Sequence, residues 1–310
     1  MARASTGRNS SSTWRSYVPT LVLLLIVAAL AAWVFVTGRS IQNGVPTIDV
    51  GRGFLLSAIG LAAGLLGGII GTGGCSVMLP AIHFWLGYPA PIAVGTTLFA
   101  VIFTAVSGGY GHLIRRNLDV KATLWLGGSG IIWVLIGSWL FTILANRASL
   151  LGLILGVVFL WPAIRMIWEG LAPVGKTPSP EGGGVRGAKS AWAVFGLAIG
   201  ILTGLVGLGG GYALVPGLIY LFGAPVYITM GTSLATMIPL AVVGGGIKLA
   251  QGFVALGAGL LLAGGTIIGA QIGAAIIKRF KPSTLKLIFG VYFLYVSVKF
   301  ITAYLGVMIW

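Results

Sequence analysis

The chain writes one ten-residue phrase twice, GTGGCSVMLP from Gly71 and GLGGGYALVP from Gly207, 136 residues apart. At the same offset Gly60, Gly64 and Gly68 fall on Gly196, Gly200 and Gly204, Pro80 falls on Pro216, and Gly87-Tyr88-Pro89 falls on Gly223-Ala224-Pro225. Gly95-Thr96-Thr97 meets Gly231-Thr232-Ser233, and Gly108-Gly109 meets Gly244-Gly245. No gap is needed, so the chain is a duplication and its fold must place two copies of one unit. Each copy is an apolar run that breaks into glycines and resumes as a short apolar arm. A glycine costs a helix about 1 kcal/mol against alanine, so two matched clusters mark deliberate breaks.

Of 310 residues 57% are hydrophobic and only 7% charged, too few charges to cover a soluble domain. The reading is an all-α polytopic membrane protein whose surroundings are the lipid bilayer. A formal charge of +15 would suit nucleic acid, but the basic residues gather at the ends of apolar runs, which is the pattern of membrane topology. Unwound backbone at bilayer depth survives only where protein or a water-filled cavity satisfies its amides. Matched glycine breaks in two halves therefore point to the binding site of a transporter.

Residues 1–16 read as a basic cytoplasmic tail with Arg3, Arg8 and Arg15, and 17–38 as an N-terminal span. Ala29-Leu30-Ala31 imitates a signal-peptide cleavage site, yet the apolar run continues past it, favouring an uncleaved helix. The first repeat covers 53–168, with arms at 53–70 and 75–87 and runs at 90–112, 122–145 and 148–168. The second covers 190–306, with arms at 190–206 and 211–223 and runs at 226–248, 253–277 and 284–305. Between them 169–189 is a flexible Pro/Gly-rich linker expected to pack into neither half. Short arms of about 13 residues reach roughly 20 Å against about 30 Å of hydrocarbon, so they read as half-helices. Each pair of arms is either a re-entrant hairpin or two packed crossings, and both add an even number. With the tail in the cytoplasm, Arg115, Arg116, Lys121, Lys176, Arg186, Lys189, Lys278, Arg279 and Lys281 all fall inside, and the opposite side keeps Arg39, Arg52, Arg147 and Lys248. The two repeats are then inverted.

Each break opens a half-helix, so backbone N–H groups and the positive end of a helix dipole face the middle of the membrane. Two such ends across a pseudo-twofold axis make a cradle for a small anion. The residues assigned to it are Gly71, Thr72, Gly73, Gly74, Cys75 and Ser76 in the first copy, and Gly207, Gly209, Gly210, Gly211 and Tyr212 in the second. The paired hydroxyls Thr96, Thr97, Thr232 and Ser233 join them, with bonding back to their own helix as the bland alternative. Lys248 is a candidate for the anion's charge, although snorkelling to the surface is preferred. Its repeat counterpart His112 reads as interfacial, and His83 as a satisfied structural histidine. These two are nonetheless the candidate side chains for proton coupling, because Asp49, Asp119, Glu169 and Glu181 all lie in loops or at helix ends; the substrate's own proton, cation coordination by backbone carbonyls, and uniport are the other routes. One cysteine and two histidines supply no metal cluster, and no cofactor is expected. The G-x-G-x-x-G match at Gly182 follows no strand and is rejected as a nucleotide site. The runs Gly60-Gly64-Gly68 and Gly196-Gly200-Gly204 are read as close-packing faces, and small-residue faces would also permit a homodimer.

With the duplicated break, the Gly-x-Pro after it and the Gly-Thr-Thr or Gly-Thr-Ser starts, the chain resembles the sulfite exporter TauE/SafE family, also called the toluene-sulfonate uptake permease family, over about residues 54 to 303. The resemblance implies a carrier in a bacterial or archaeal inner membrane for sulfite, sulfoacetate or other organosulfonates, with export the commonest direction. Cys75 stands where the second repeat has Gly211, so the two halves need not contribute equally. The alternatives are an intramembrane enzyme using Cys75, Ser76 or His83, for which no nucleophile, base and orienter set is visible, and a non-transporting scaffold subunit.

Overall fold

The structure, a computed structural model, describes residues 17–40, 44–171, 184–207, 209–279 and 282–307. The basic tail and most of the linker, with Lys176 and Glu181, lie outside these residues. The described chain is helical, with no strand. Helix α1 spans Val18–Val36. The first repeat contributes α2 (Val50–Ile70), α3 (Cys75–Pro80), α4 (Ala90–Ile114), α5 (Val120–Ala145) and α6 (Ala148–Leu171). The second contributes α7 (Lys189–Val206), α8 (Gly211–Tyr220), α9 (Val226–Ala250), α10 (Leu256–Ile276) and α11 (Pro282–Tyr304). Seven of these are long and apolar enough to cross a bilayer, and the outward faces carry Leu, Ile, Val and Trp to lipid.

The two arms of each repeat fold back on one another as a hairpin. Gly74 packs on Gly67 and on the Ala63 carbonyl, so α3 turns back along α2. In the second copy the Arg186 N–H donates to the Phe222 carbonyl at 3.1 Å, closing the hairpin at its open end. Pro80 lacks an N–H for the helix ladder, and α3 continues past it as a π-helical turn over Ala81–Trp85.

The hairpins enter from opposite faces. The Asp119 N–H, in the turn leaving α4, donates to Thr232 Oγ1 near the start of α9, and the Ala255 N–H, in the turn leaving α9, donates to Thr96 Oγ1 near the start of α4, both at 2.9 Å. Each repeat's exit therefore meets the other's entrance, which is the signature of antiparallel, inverted copies.

Packing then interlocks the repeats. The first helix of each lies along the fourth helix of the other, α2 on α10 and α7 on α5, while α4 crosses α9 at the centre and α6 pairs with α11. Glycines set the closeness. A methyl built on Gly60, Gly64 or Gly68 would strike the backbone of Leu262, Thr266 or Ala270, and one on Gly196, Gly200 or Gly204 would strike that of Leu126, Gly130 or Val134. Backbone-to-backbone approach of this kind takes the place of a hydrophobic driving force in lipid. The small-residue faces are spent inside the chain, so they carry no argument for a homodimer.

Helix α1 lies outside this symmetry. It packs on α10 through Val27 and Val34 against Leu260, Ala263 and Ile267. One polar link, Gln271 Nε2 to Thr20 Oγ1 at 2.9 Å, fixes its height. The linker's end departs from expectation. Val185 is buried and its N–H donates to Asp119 Oδ2 at 2.9 Å, because Asp119 caps α5 with Oδ1 and has its second oxygen to spare.

Candidate functional site

Both breaks adopt one conformation. Helix α2 ends at Gly71 (φ 80°), whose N–H donates to the Gly67 carbonyl at 2.8 Å, and α7 ends at Gly207 (φ 72°) on the Thr203 carbonyl at 2.9 Å. Gly73 and Gly74 follow at φ 72° and 74°, Gly209 and Gly210 at 67° and 77°. Left-handed backbone costs other residues roughly 1–2 kcal/mol each, so three such positions within four residues call for glycine.

The two tips touch across the pseudo-twofold axis. A methyl built on Gly211 would lie 2.6 Å from Thr72 Cα. Gly71 packs on the backbone of Met230, and Gly207 on the equivalent Val94. The line between the tips runs through one pair of side chains. A methyl on Gly73 and a methyl on Gly209 would each lie 2.5 Å from Met237 Cε, and 3.3 and 3.1 Å from Val101 Cγ1. Val101 and Met237 are repeat equivalents and both are fully buried. Neither was singled out in the sequence, where each is one apolar residue in an apolar run. The signal available was the offset itself, which pairs them at the middle of α4 and α9.

The hydroxyls divide. Thr96 and Thr232 accept from the Ala255 and Asp119 N–H groups, so they anchor turns. Thr97 bonds back to Ala93 and Val94 at 2.8 and 3.1 Å. Its equivalent Ser233 instead crosses to the first break and donates to the Gly71 carbonyl at 2.7 Å. Thr72, Cys75, Ser76 and Tyr212 are buried at the tips, and Cys75 Sγ lies 3.6 Å from the Thr72 carbonyl.

Lys248 and His112 depart from the surface positions expected of them, since both are 0% exposed. The reason lies in the breaks. A helix that stops leaves its last carbonyls without intrahelical donors, and here those carbonyls are buried between helices. Lys248 Nζ donates to the Gly204 carbonyl at 2.5 Å, and His112 Nε2 meets the equivalent Gly68 carbonyl at 2.9 Å. A carbonyl only accepts, so Nε2 carries the proton and Nδ1 of neutral His112 is an acceptor. That Nδ1 is buried with no hydrogen-bond partner among the described residues. Lys248 also lies over the Phe141 ring, 4.1 Å from its centroid, a geometry that stabilises an ammonium.

His83 is elsewhere. Its Nδ1 lies 2.7 Å from the Tyr88 carbonyl, and its ring stacks on Phe300 at 5.6 Å, at the open end of the first hairpin. It stands eight residues beyond Cys75, about 12 Å along a helix, so the two form no nucleophile and base pair. Among the described residues no group of three His, Cys, Asp or Glu side chains could hold a metal ion. The tips bring glycine backbone and the buried hydroxyl residues Thr72, Ser76 and Tyr212 together inside the bundle.

The sequence profile of the family described as Sulfite exporter TauE/SafE matches residues 56–300, which takes in both repeats and leaves α1 outside. The probable membrane transporter protein YdhB of Bacillus subtilis is 28% identical over 224 residues, 72% of this chain and 89% of that one. YunE of the same organism, also named a probable membrane transporter protein, is 26% identical over 278 residues, 80% of this chain and 96% of its own. The Sulfite exporter TauE/SafE family protein 3 of Arabidopsis thaliana is 28% identical over 127 residues, 40% of this chain and 26% of that protein. No solved structure matches. Inverted repeats, paired glycine tips and a profile match over most of the chain agree, and the protein belongs to the sulfite exporter TauE/SafE family of membrane transporters.

Proposed function

We propose that the protein is a secondary carrier for small sulfur-containing anions such as sulfite, sulfoacetate or other organosulfonates, moving them out of a bacterial or archaeal cell through the inner membrane with its N-terminus in the cytoplasm. The observation that carries this reading is the meeting of two identically bent hairpin tips, entering from opposite faces, on the same pair of side chains. Asp49, Asp119 and Glu169 stand at helix ends, so an anion at the tips meets no carboxylate among the described residues, and Lys248 bonds the Gly204 carbonyl, one turn before the second break. The family description, with its reference to sulfite, favours sulfur oxyanions within the class. With an inside-negative potential, anion export runs downhill electrically, and His112 Nδ1 is the acceptor available if a proton is coupled.

The test is thermal stabilisation of the purified protein by sulfite, sulfate, thiosulfate, sulfoacetate, taurine, acetate and chloride, followed by flux in proteoliposomes. Stabilisation and flux with sulfur oxyanions, and neither with acetate or chloride, are expected. If no anion stabilises the protein at millimolar concentration, a neutral or cationic solute takes the anion's place.

Alternating access then follows the interlocked packing. The glycine contacts make α2 with α10, and α7 with α5, the units that move together, rather than residues 53–168 against 190–306. One asymmetry at the tips gives a handle on it. Ser233 clamps the Gly71 carbonyl while Thr97 bonds back to Ala93 and Val94. If the repeats exchange conformations as access alternates, Ser233→Ala weakens the present arrangement and Thr97→Ala the exchanged one. One hydrogen bond of about 1 kcal/mol shifts such an equilibrium roughly fivefold. The KM measured from the two faces of oriented proteoliposomes should move in opposite senses in the two variants, and movement in a common sense would rule out the exchange.

A further inference from the structure

The two glycine tips do not face each other across open space. Met237 stands between them, with Cε against Gly73 and Gly209 alike and Sδ 2.8 Å from a methyl built on Gly211. It reaches both breaks and the start of the second half-helix. Val101 closes the other side of the same gap, but it is short and branched and holds one rotamer in a helix. Methionine has three rotatable bonds and a polarisable thioether, so it can leave and refill a space without moving the backbone.

The helix beneath it is loosened in one repeat only. Pro239, two residues on, has no N–H to give to the Ala235 carbonyl and its ring crowds that carbonyl. The equivalent position in α4 is Phe103, which keeps its N–H. A flexible side chain on a weakened turn in α9 thus faces a stiff side chain on an intact turn in α4.

We propose that Met237 sets which anions the carrier accepts, its thioether acting as a movable plug whose displacement volume limits the solute between the tips to a compact tetrahedral or pyramidal oxyanion with at most a short tail. This rests on the anion reading given above. An anion reaching the amides of both tips must take the place of the Met237 methyl, so the room available equals what the side chain vacates. Shortening residue 237 enlarges the site on one side without touching a glycine, a hydroxyl or Lys248.

The experiment compares wild type with Met237→Ala and Val101→Ala in thermal stabilisation and in proteoliposome flux. The probes are a size series of sulfite, methanesulfonate, sulfoacetate and benzenesulfonate. Wild type should favour sulfite and methanesulfonate. Met237→Ala should lose about tenfold in affinity for the two smallest and gain about as much for sulfoacetate or benzenesulfonate, so that the order of preference inverts. Val101→Ala, which removes less volume from the same gap, guards against a Met237→Ala chain that does not fold, and it should shift the order in the same direction by a smaller factor. If wild type binds members of the series and folded variants keep its order, the plug is overturned while the anion reading stands. If wild type responds to none of them, the anion reading falls and this inference with it.

Discussion

Gly74→Ala should not yield a folded carrier, whereas Gly73→Ala and Gly209→Ala should fold with a lowered melting midpoint and no response to anions. All three positions have positive φ, so each alanine bears about 1–2 kcal/mol of left-handed strain. The difference lies in what the new methyl meets. At Gly74 it strikes the Ala63 carbonyl, backbone of the adjoining helix, which cannot yield without opening the hairpin. At Gly73 and Gly209 it meets the end of Met237, which can turn aside. Overpacking of a core costs about 1–3 kcal/mol and more where the neighbour is fixed. Gly210→Ala falls between, because Ile199 Cγ2 at 2.5 Å and Thr203 Oγ1 at 2.8 Å are side-chain atoms on stiff, branched residues. Thermal midpoints of the purified variants, with and without sulfite, give the order directly. Equal stability of Gly74→Ala and Gly73→Ala would mean that α3 does not turn back on α2 as described.

Much of this architecture was legible because duplication multiplies evidence. One offset located both breaks, both Gly-x-Pro turns and the helix starts at residues 90 and 226, and the helices begin and end within a few residues of the apolar runs. The pairing of helices was not legible. The hydrophobic pattern says that α2 and α10 are both rich in small residues, but nothing local says that each repeat's first helix lies on the other repeat's fourth. The polar side chains misled for a related reason. Insertion cost argues for putting Lys248 at the surface, and that argument holds for an isolated helix. It fails once a neighbouring helix ends inside the bundle and exposes a carbonyl that a donor from α9 reaches. The offset carried that information too, since His112 with Gly68 maps onto Lys248 with Gly204, and a donor conserved in kind at both places suggests a shared acceptor.

Lys248→Met is the substitution that separates charge from architecture. The ammonium is wholly buried, with the Gly204 carbonyl and the Phe141 face as its surroundings. Methionine fills a similar volume without the charge. The variant loses a charge-assisted hydrogen bond of about 1.5–3 kcal/mol and leaves a buried carbonyl unpaired at a further 1–3 kcal/mol or so. Against this, it no longer desolvates an ion, a penalty of several kcal/mol in proteins, and apolar replacements of buried charges are often neutral or stabilising. The expected change in midpoint is therefore small. Binding should respond quite differently. At an effective dielectric constant near 20, a positive charge attracts an anion about 10 Å away by about 1.7 kcal/mol. Its removal should weaken sulfite binding roughly tenfold to twentyfold, and Lys248→Arg, if it folds, should keep most of the affinity. The opposite pattern, a large loss of stability with unchanged affinity in the protein that remains, would make Lys248 a brace for the broken helix and nothing more. The anion would then be held by the backbone of the two tips alone.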